Sequence, residues 1–374
     1  MIIKTKEFQE TANKILLAAD GTSNLELITK GPVLHLNVTN KEYYVSIKFP
    51  LEAEQEFHAV VDAALFLSLV SGITTETFEL ILKDTYLLIK AGKSSYKLAL
   101  IFENETLMTL PTISIRNKTV EMQISNEILS SILNVNSKEL QKLKGTVSVN
   151  PLQKLYYIDE TGCFTFTTGA CLNAFSLEKP VRLLLTDRIV RLFKLFKTDV
   201  HFALGVDPSP SGEQIFTKIA LETDSIYLAA LINCDHALLS QIQGPCTATK
   251  RYISEPYDFK LVLSANDLLN AINRLQTFTR NNKASADTLA SQPVKLTISE
   301  NDVTIQDRFD NTEVVTIENG SFISGDYECS INLIDLKLVV ETCRNEHITL
   351  NCGNHRSIVI IRGAVSNLIP ERKN

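Results

Sequence analysis

The chain has 374 residues, of which 44% are hydrophobic and 21% are charged, a composition typical of a globular protein with about two to four domains. The formal net charge of −6 argues against a protein with a uniformly basic surface, as in simple nucleic-acid-binding proteins, but allows basic residues gathered on one face. No apolar run approaches the ~18 residues of a membrane span, and the start, MIIKTK, is unlike a signal peptide, so we expect a cytoplasmic protein.

The first helices predicted along each third of the chain share one design. A short apolar strand leads to a small polar residue, and an amphipathic helix follows. Helix starts are predicted at Thr5, Ser125 and Ser264, whose hydroxyl groups can accept hydrogen bonds from the first-turn amides. Asp267 adds an approximate capping box after Ser264. Apolar residues three and four positions apart then line one face of each helix.

A second set of helix starts is predicted at Asp62, Thr186 and Asn332, which lie 57, 61 and 68 residues after the first set. A pair of alternating segments follows each second helix, with turn residues between its members. These predicted pairs are Phe78 to Ile89 with Tyr96 to Ile101, Val200 to Val206 with Phe216 to Leu231, and Ile348 to Cys352 with Ile358 to Ile361.

The pattern therefore predicts three tandem α+β units, each with two helices packed on antiparallel sheets. We place the domains at residues 1–117, 118–255 and 256–374. A repeat of this kind is the first feature to seek in a chain, because it determines the whole architecture. Three unrelated α+β domains with coincidental patterning are the alternative.

Three short segments add detail to the repeat. They run from Phe49-Pro50-Leu51 to Phe66, from Lys90 to Leu98, and over Thr167-Thr168-Gly169-Ala170-Cys171-Leu172. With the three units, they resemble the bacterial sliding clamp, the β subunit of the replicative DNA polymerase. In that family, the third of these segments usually is T-D-G-H-R-L. The resemblance covers the whole chain in architecture.

In that family, two subunits join head to tail into a six-domain ring, with the helices around the hole and the strands outside. The resemblance implies a processivity factor and homodimer whose partners are duplex DNA, bound without regard to sequence, the replicative polymerase and a clamp loader. It implies no cofactor. A clamp-derived protein that does not close a ring and competes for clamp partners is the alternative, and oligomeric state separates the two.

Basic residues at a spacing of three mark the second helix of the middle unit. Arg188, Arg191 and Lys194 form one stripe, with Lys197 beside it. Taken alone, such a stripe is explained by an ordinary solvent-exposed helix face. In the ring that the resemblance implies, these side chains would instead point at DNA phosphates. Candidates on the other helices are Lys14, Arg274 and Arg280.

The family docks a short peptide motif in a pocket between its second and third domains. By resemblance, the pocket here uses Leu152, Thr167, Gly169, Leu172 and Pro245, together with Val359, Ile360 and Ile361 on what we take as the last strand.

This sequence departs from the family pattern at two places. Ala170-Cys171 replaces the usual His-Arg pair, and the family's M-P-x-R tail is not found after Ile361, where the chain runs on from Arg362 to Asn374. We therefore expect altered peptide selectivity and a tail that folds over the pocket. A divergent clamp encoded by a phage or another mobile element fits these departures.

The sequence predicts no catalytic or metal-ligating residues. It contains no P-loop, G-x-S-x-G, H-E-x-x-H or G-x-G-x-x-G motif, and its six histidines are scattered. An enzyme would need titratable groups gathered in one cleft. The cysteines show no C-x-x-C spacing and their number is odd, which indicates reduced thiols of a reducing compartment. They are Cys163, Cys171, Cys234, Cys246, Cys329, Cys343 and Cys352.

Overall fold

The computed structural model describes residues 1–21, 23–135, 155–166, 169–206, 216–232, 236–281, 293–322 and 326–372. The α+β class is confirmed. The helices are α1 (Thr5–Leu16), α2 (Ala63–Ser71), α3 (Asn126–Val135), α4 (Asp187–Leu192), α5 (His236–Ser254), α6 (Ala265–Asn281) and α7 (Leu333–Glu341).

The strands pair antiparallel throughout. They are β1 (Ile2–Lys4), β2 (Asn24–Lys30), β3 (Val33–Thr39), β4 (Tyr43–Pro50), β5 (His58–Asp62), β6 (Thr77–Leu82), β7 (Tyr86–Ala91), β8 (Ser94–Ala99), β9 (Phe102–Glu103), β10 (Thr106–Leu107), β11 (Lys118–Ile124), β12 (Leu155–Asp159), β13 (Gly162–Phe166), β14 (Ala170–Ala174), β15 (Arg182–Thr186), β16 (Val200–Val206), β17 (Phe216–Glu222), β18 (Ile226–Leu231), β19 (Phe259–Ser264), β20 (Pro293–Ile298), β21 (Asp302–Gln306), β22 (Thr312–Thr316), β23 (Asn319–Phe322), β24 (Tyr327–Asn332), β25 (His347–Cys352), β26 (Ser357–Arg362) and β27 (Val365–Pro370).

The contacts divide the chain into two compact units. The first, Met1–Ser130 with Arg188–Cys234, contains an eight-stranded sheet in the order β11-β16-β17-β18-β4-β3-β2-β5 and a four-stranded sheet, β1-β6-β7-β8. The second, Ser131–Asp187 with Asp235–Asn374, contains a nine-stranded sheet, β15-β12-β13-β14-β27-β26-β25-β19-β23, and a four-stranded sheet, β22-β21-β20-β24. Strands of the predicted middle domain thus occur in both units, and the boundaries at 117 and 255 stay a prediction.

Most of the predicted helix starts are correct. The Asp62 carboxylate accepts from the backbone N–H of Leu65 at 2.8 Å, and the Asn332 side chain accepts from that of Ile334 at 2.9 Å. These side chains satisfy first-turn amides that have no partner within the helix. Ser125 and Ser264 each accept from an amide three residues on, at 3.3 Å.

Thr5 is the exception, because it is the first helical residue and not the cap. Lys4 holds the N-cap position without a side-chain hydrogen bond, and the Thr5 amide donates instead to the Glu76 carbonyl at 2.9 Å. The Thr5 hydroxyl is buried without a partner in the described part of the chain. A strand neighbour, which local sequence does not reveal, therefore satisfies this helix start.

The predicted strands are found, with two differences in detail. Val200 to Val206 is β16, whereas Phe78 to Ile89 and Phe216 to Leu231 each divide into two strands. The larger difference is β27, which the sequence analysis missed entirely. A turn at Gly363, whose φ of +55° is a conformation that glycine adopts without strain, returns the chain along β26.

Aromatic and aliphatic side chains fill the space between helices and sheets. In the first unit, the Phe8 ring of α1 lies edge-on to Phe49, Phe66 and Phe78 at centroid distances of 5.2, 6.1 and 5.5 Å. Such edge-to-face pairs suit the ring quadrupoles and lock α1 onto the sheet. Within the described residues, no helix is long and apolar enough to cross a membrane.

Candidate functional site

The predicted basic stripe lies on α4 and on the turn that follows it. α4 has only six residues and continues as a 3-10 turn, Phe193–Leu195. Ile189, Leu192 and Phe193 of this segment are buried. Since a 3-10 turn has three residues per turn, a spacing of three keeps side chains aligned. Arg191 and Lys194 of this stripe are exposed, and so is Lys197, which follows the turn.

Arg188 differs from the other three cations because it is held by the fold. Its guanidinium forms an ion pair with Asp20, donates to the Tyr43 hydroxyl at 3.0 Å and lies 5.1 Å from the Tyr43 ring centroid. The Tyr43 hydroxyl in turn donates to the Ala18 carbonyl at 2.5 Å, just beyond the end of α1. This cluster places α1 and α4 on the same face of the eight-stranded sheet, so Arg188 positions the stripe.

We therefore expect Arg188→Ala to lower the free energy of unfolding by about 1–2 kcal/mol, because it removes a partly exposed ion pair, a hydrogen bond and a cation–π contact. Lys194→Ala, the matched change at an exposed position just after α4, should stay within about 0.5 kcal/mol of the parent. Urea unfolding of both variants measures the difference. Equal losses would show that the Asp20 cluster contributes nothing specific.

The remaining predicted DNA-facing residues have different surroundings. Lys14 is exposed on α1 in the first unit. Arg274 on α6 makes a bidentate ion pair with Glu313 of β22, with N–O distances of 2.6 and 2.9 Å, which neutralises much of its charge. Arg280 lies in α6, but its side chain is outside the described part. The segment 187–197 carries four cations and one acid, and one of these cations, Arg188, is paired with Asp20.

The predicted peptide pocket is described in part. Leu152 and Thr167 lie outside the described residues. Gly169 immediately precedes β14, where a Cβ atom would overlap the carbonyl oxygen of Leu368 in β27. Only glycine allows this close approach of two backbones. Gly169 therefore has a structural reason to be glycine that is independent of any ligand.

Strand pairing shows which pocket candidates share one face of the nine-stranded sheet. Leu172 lies opposite Ser366, which lies opposite Ile361, so these side chains point to the same side. Val359 joins them through the neighbouring pairs. Ile360 points to the other face, into the core with α6 and α7, and its assignment to the pocket is wrong. Successive side chains along β26 point to opposite faces of the sheet, so Ile360 cannot share a face with Val359 and Ile361.

The Leu172 face is covered by α5. Ile242 of α5 is completely buried against an apolar surface that we call the β13–β14 patch, and Leu238 and Leu239 of α5 pack at its margin. Pro245 is exposed on α5. The patch consists of Phe164, Phe166, Ala170 and Leu172. The candidate pocket is thus an apolar surface with a helix already seated on it.

Sequence analysis missed α5 because Gly244-Pro245 lies in its middle, and both residues are unfavourable inside a helix. A signal was nevertheless present. Leu238, Ile242, Thr249 and Ile253 recur at multiples of the helical repeat, and all four are at least partly buried.

Several solved structures are similar to this chain over its entire length. The β subunit of the DNA polymerase of Streptococcus pyogenes is 14% identical, with 100% of this chain and 99% of that chain covered at a TM-score of 0.75. The chain has the sliding-clamp fold. A sliding clamp from Pseudomonas aeruginosa gives 13% identity, the same coverage and a TM-score of 0.75. The Helicobacter pylori β clamp bound to a DNA ligase peptide gives 14%, again 100% and 99%, and 0.71. No protein-family model and no curated protein sequence matches the chain.

The clamp-like tail motif lies one strand later than the sequence suggested. Because β27 is the last strand, Ile369-Pro370-Glu371-Arg372 follows the M-P-x-R spacing, with isoleucine in place of methionine. Contrary to the expectation from sequence, the described part of the tail, up to Arg372, does not fold over the β13–β14 patch. Its Glu371 amide donates to the Arg356 carbonyl at 2.9 Å, next to the β26–β27 ladder, and its Arg372 amide donates to the Ser330 carbonyl of β24 at 2.7 Å.

No group of three or more His, Cys, Asp or Glu side chains in the described part of the chain could hold a metal ion. The six cysteines described are buried and form no disulfide, and Cys234 lies outside that part. Burial raises the pKa of the Cys171 and Cys246 thiols to about 12, so both stay protonated and unreactive near neutral pH.

Proposed function

We propose that the chain is a DNA sliding clamp, a processivity factor that encircles duplex DNA in the cytoplasm and tethers the replicative polymerase and other clamp-binding proteins. The observation that carries the proposal is likeness to clamp structures over 100% of the chain at a TM-score of 0.75. A clamp has no catalytic role of its own. A clamp loader would open and close the ring.

Ring closure is supported by two exposed sheet edges. Strand β8 ends one four-stranded sheet, and β22 ends the other. Each carries an exposed large side chain, with Tyr96 40% and Val314 55% exposed. Exposed edges with apolar side chains are ready to pair with another chain. We infer that β8 of one subunit pairs with β22 of the next, which makes a head-to-tail homodimer with two equal interfaces.

DNA binding is supported by three exposed cations: Arg191 on α4, Lys194 on its 3-10 turn and Lys197 just after the turn. Contacts of such cations with phosphates carry no sequence information, and they weaken as salt rises. Both properties suit a protein that must slide. Retention would come from the closed ring, so modest local charge and a net charge of −6 are compatible with tight association.

The decisive experiment combines solution mass with DNA topology. Light scattering should give twice the chain mass of 41.7 kDa. Protein loaded by a cognate loader should stay on nicked circular DNA and leave when the circle is cut. A stable monomer that still competes for clamp-binding peptides would instead support the clamp-derived interaction protein.

Leu172→Asp should abolish polymerase stimulation and leave the dimer intact, because an unpaired carboxylate in an apolar patch costs several kcal/mol. Leu231→Asp is the matched control, since Leu231 is 41% exposed on β18. Circular dichroism and solution mass show whether the variant is folded and dimeric. Full stimulation by a folded Leu172→Asp protein would place the docking site elsewhere.

A further inference from the structure

We propose that the first half of α5, up to Gln243, is a displaceable cover of the β13–β14 patch, and that a short partner peptide with two apolar anchor residues binds by replacing it. The inference rests on the proposed function, because it concerns regulation of the partner-binding site. The chain would then carry an internal competitor for its own partners.

The two halves of α5 are attached differently. In the first half, Ile242 is completely buried in the patch, while Leu238 and Leu239 are partly buried at its margin. The second half also buries Cys246 in the same apolar cluster, and in addition it is held by an ion pair between the Lys250 ammonium and the buried Asp159 carboxylate at 3.0 Å. The same ammonium lies 5.3 Å from the Phe164 ring centroid. The second half is therefore the fixed end of the helix.

Gly244-Pro245 separates the halves and weakens the helix there. Pro245 has no N–H to donate to the Gln241 carbonyl, and its ring crowds that carbonyl. Gly244 adds backbone entropy that favours the open state. Packing requires neither residue, because both are exposed and a Cβ at Gly244 would meet no atom within 4 Å. The helix is thus weakest between its displaceable and fixed ends.

The character of the patch identifies the partner. Leu238 and Ile242, four residues apart, lie together on the patch, so it accepts two apolar anchors from one short segment. Ala170, which belongs to the patch, stands where the family has histidine and contributes only a methyl group. The ligand class is therefore a short peptide with two large apolar side chains, and its charged flanks contribute little to affinity.

Two measurements on the full-length protein test the cover. Hydrogen exchange without ligand should be at least about tenfold faster for amides of residues 237–243 than for 247–254, because local opening sets the rate. Fluorescence anisotropy with a labelled copy of the DNA ligase peptide named in the H. pylori complex reports peptide affinity.

Three variants are expected to change the exchange rate and the peptide affinity in different ways. Gly244→Ala/Pro245→Ala should slow exchange in the first half and weaken peptide binding at least about tenfold, since alanine strongly favours the closed helix. Leu239→Ser should loosen the first half and tighten peptide binding several-fold. Gln243→Ala, an exposed position beside the hinge, is the matched control and should change both readouts less than about twofold.

Equal protection of both halves, or unchanged peptide affinity in Gly244→Ala/Pro245→Ala, would overturn the proposal. Failure of both the wild type and Leu239→Ser to bind the peptide would also overturn it. The proposed ring fails on a separate readout. A monomer that shows the expected exchange and affinity changes would refute the clamp function and leave the cover in place.

Discussion

Changing Tyr96 and Val314 together to lysine should convert the dimer into monomers and abolish retention on circular DNA. Both side chains are exposed on the edge strands β8 and β22, at 40% and 55%, so the monomer fold should tolerate the change. In the proposed interface, each pair of edges would then bring two ammonium groups together without partners. Like charges in such an interface cost several kcal/mol, which raises the dissociation constant by at least about 100-fold.

The matched control for the edge-strand variant is Leu82→Lys. Leu82 is 41% exposed, on β6 in the interior of the same sheet as β8. Sedimentation velocity across a concentration series compares the three proteins. A double variant that remains as dimeric as the control would exclude β8 and β22 as the joining edges, and a parent that is already monomeric would exclude the ring.

Local chemistry explains what could be predicted of the fold. The Asp62 and Asn332 caps were visible because a short polar side chain before an apolar run satisfies first-turn amides. The 3.6-residue spacing around Phe8 likewise placed one helix face in the core. Both signals depend only on neighbours along the chain.

Pairing between distant residues explains what sequence could not supply. The α4 stripe predicted Arg188 as DNA-facing, but its partner Asp20 lies 168 residues away in sequence. Val359, Ile360 and Ile361 were all predicted for one pocket, and only the pairing with β27 showed that Leu172 shares its face with Ile361 and not with Ile360. Because β27 was not predicted, the M-P-x-R pattern was sought after β26 and not after β27.

Charge reversal of the stripe is the second change with a large expected effect. Arg191→Glu/Lys194→Glu/Lys197→Glu should shorten residence on nicked circular DNA at moderate salt at least about tenfold. Arg188 is left in place because its ion pair with Asp20 holds α4 against the sheet. The log–log dependence of affinity on salt should become shallower by about one for each phosphate that the protein no longer neutralises, and so by about three.

A second triple variant, with the same net charge as the stripe variant, separates the effect of local charge on DNA residence from the effect of total charge. Lys41→Glu/Lys83→Glu/Lys179→Glu changes three exposed lysines outside the helices. Because screening confines exposed charges to a range of about 10 Å, this control should retain the parent's residence time and salt slope. Equal losses in both proteins would mean that total charge governs residence. Parent-like residence of the stripe variant would mean that these three cations face away from the duplex. Loss confined to the stripe variant would identify α4 as the element that holds DNA within the ring.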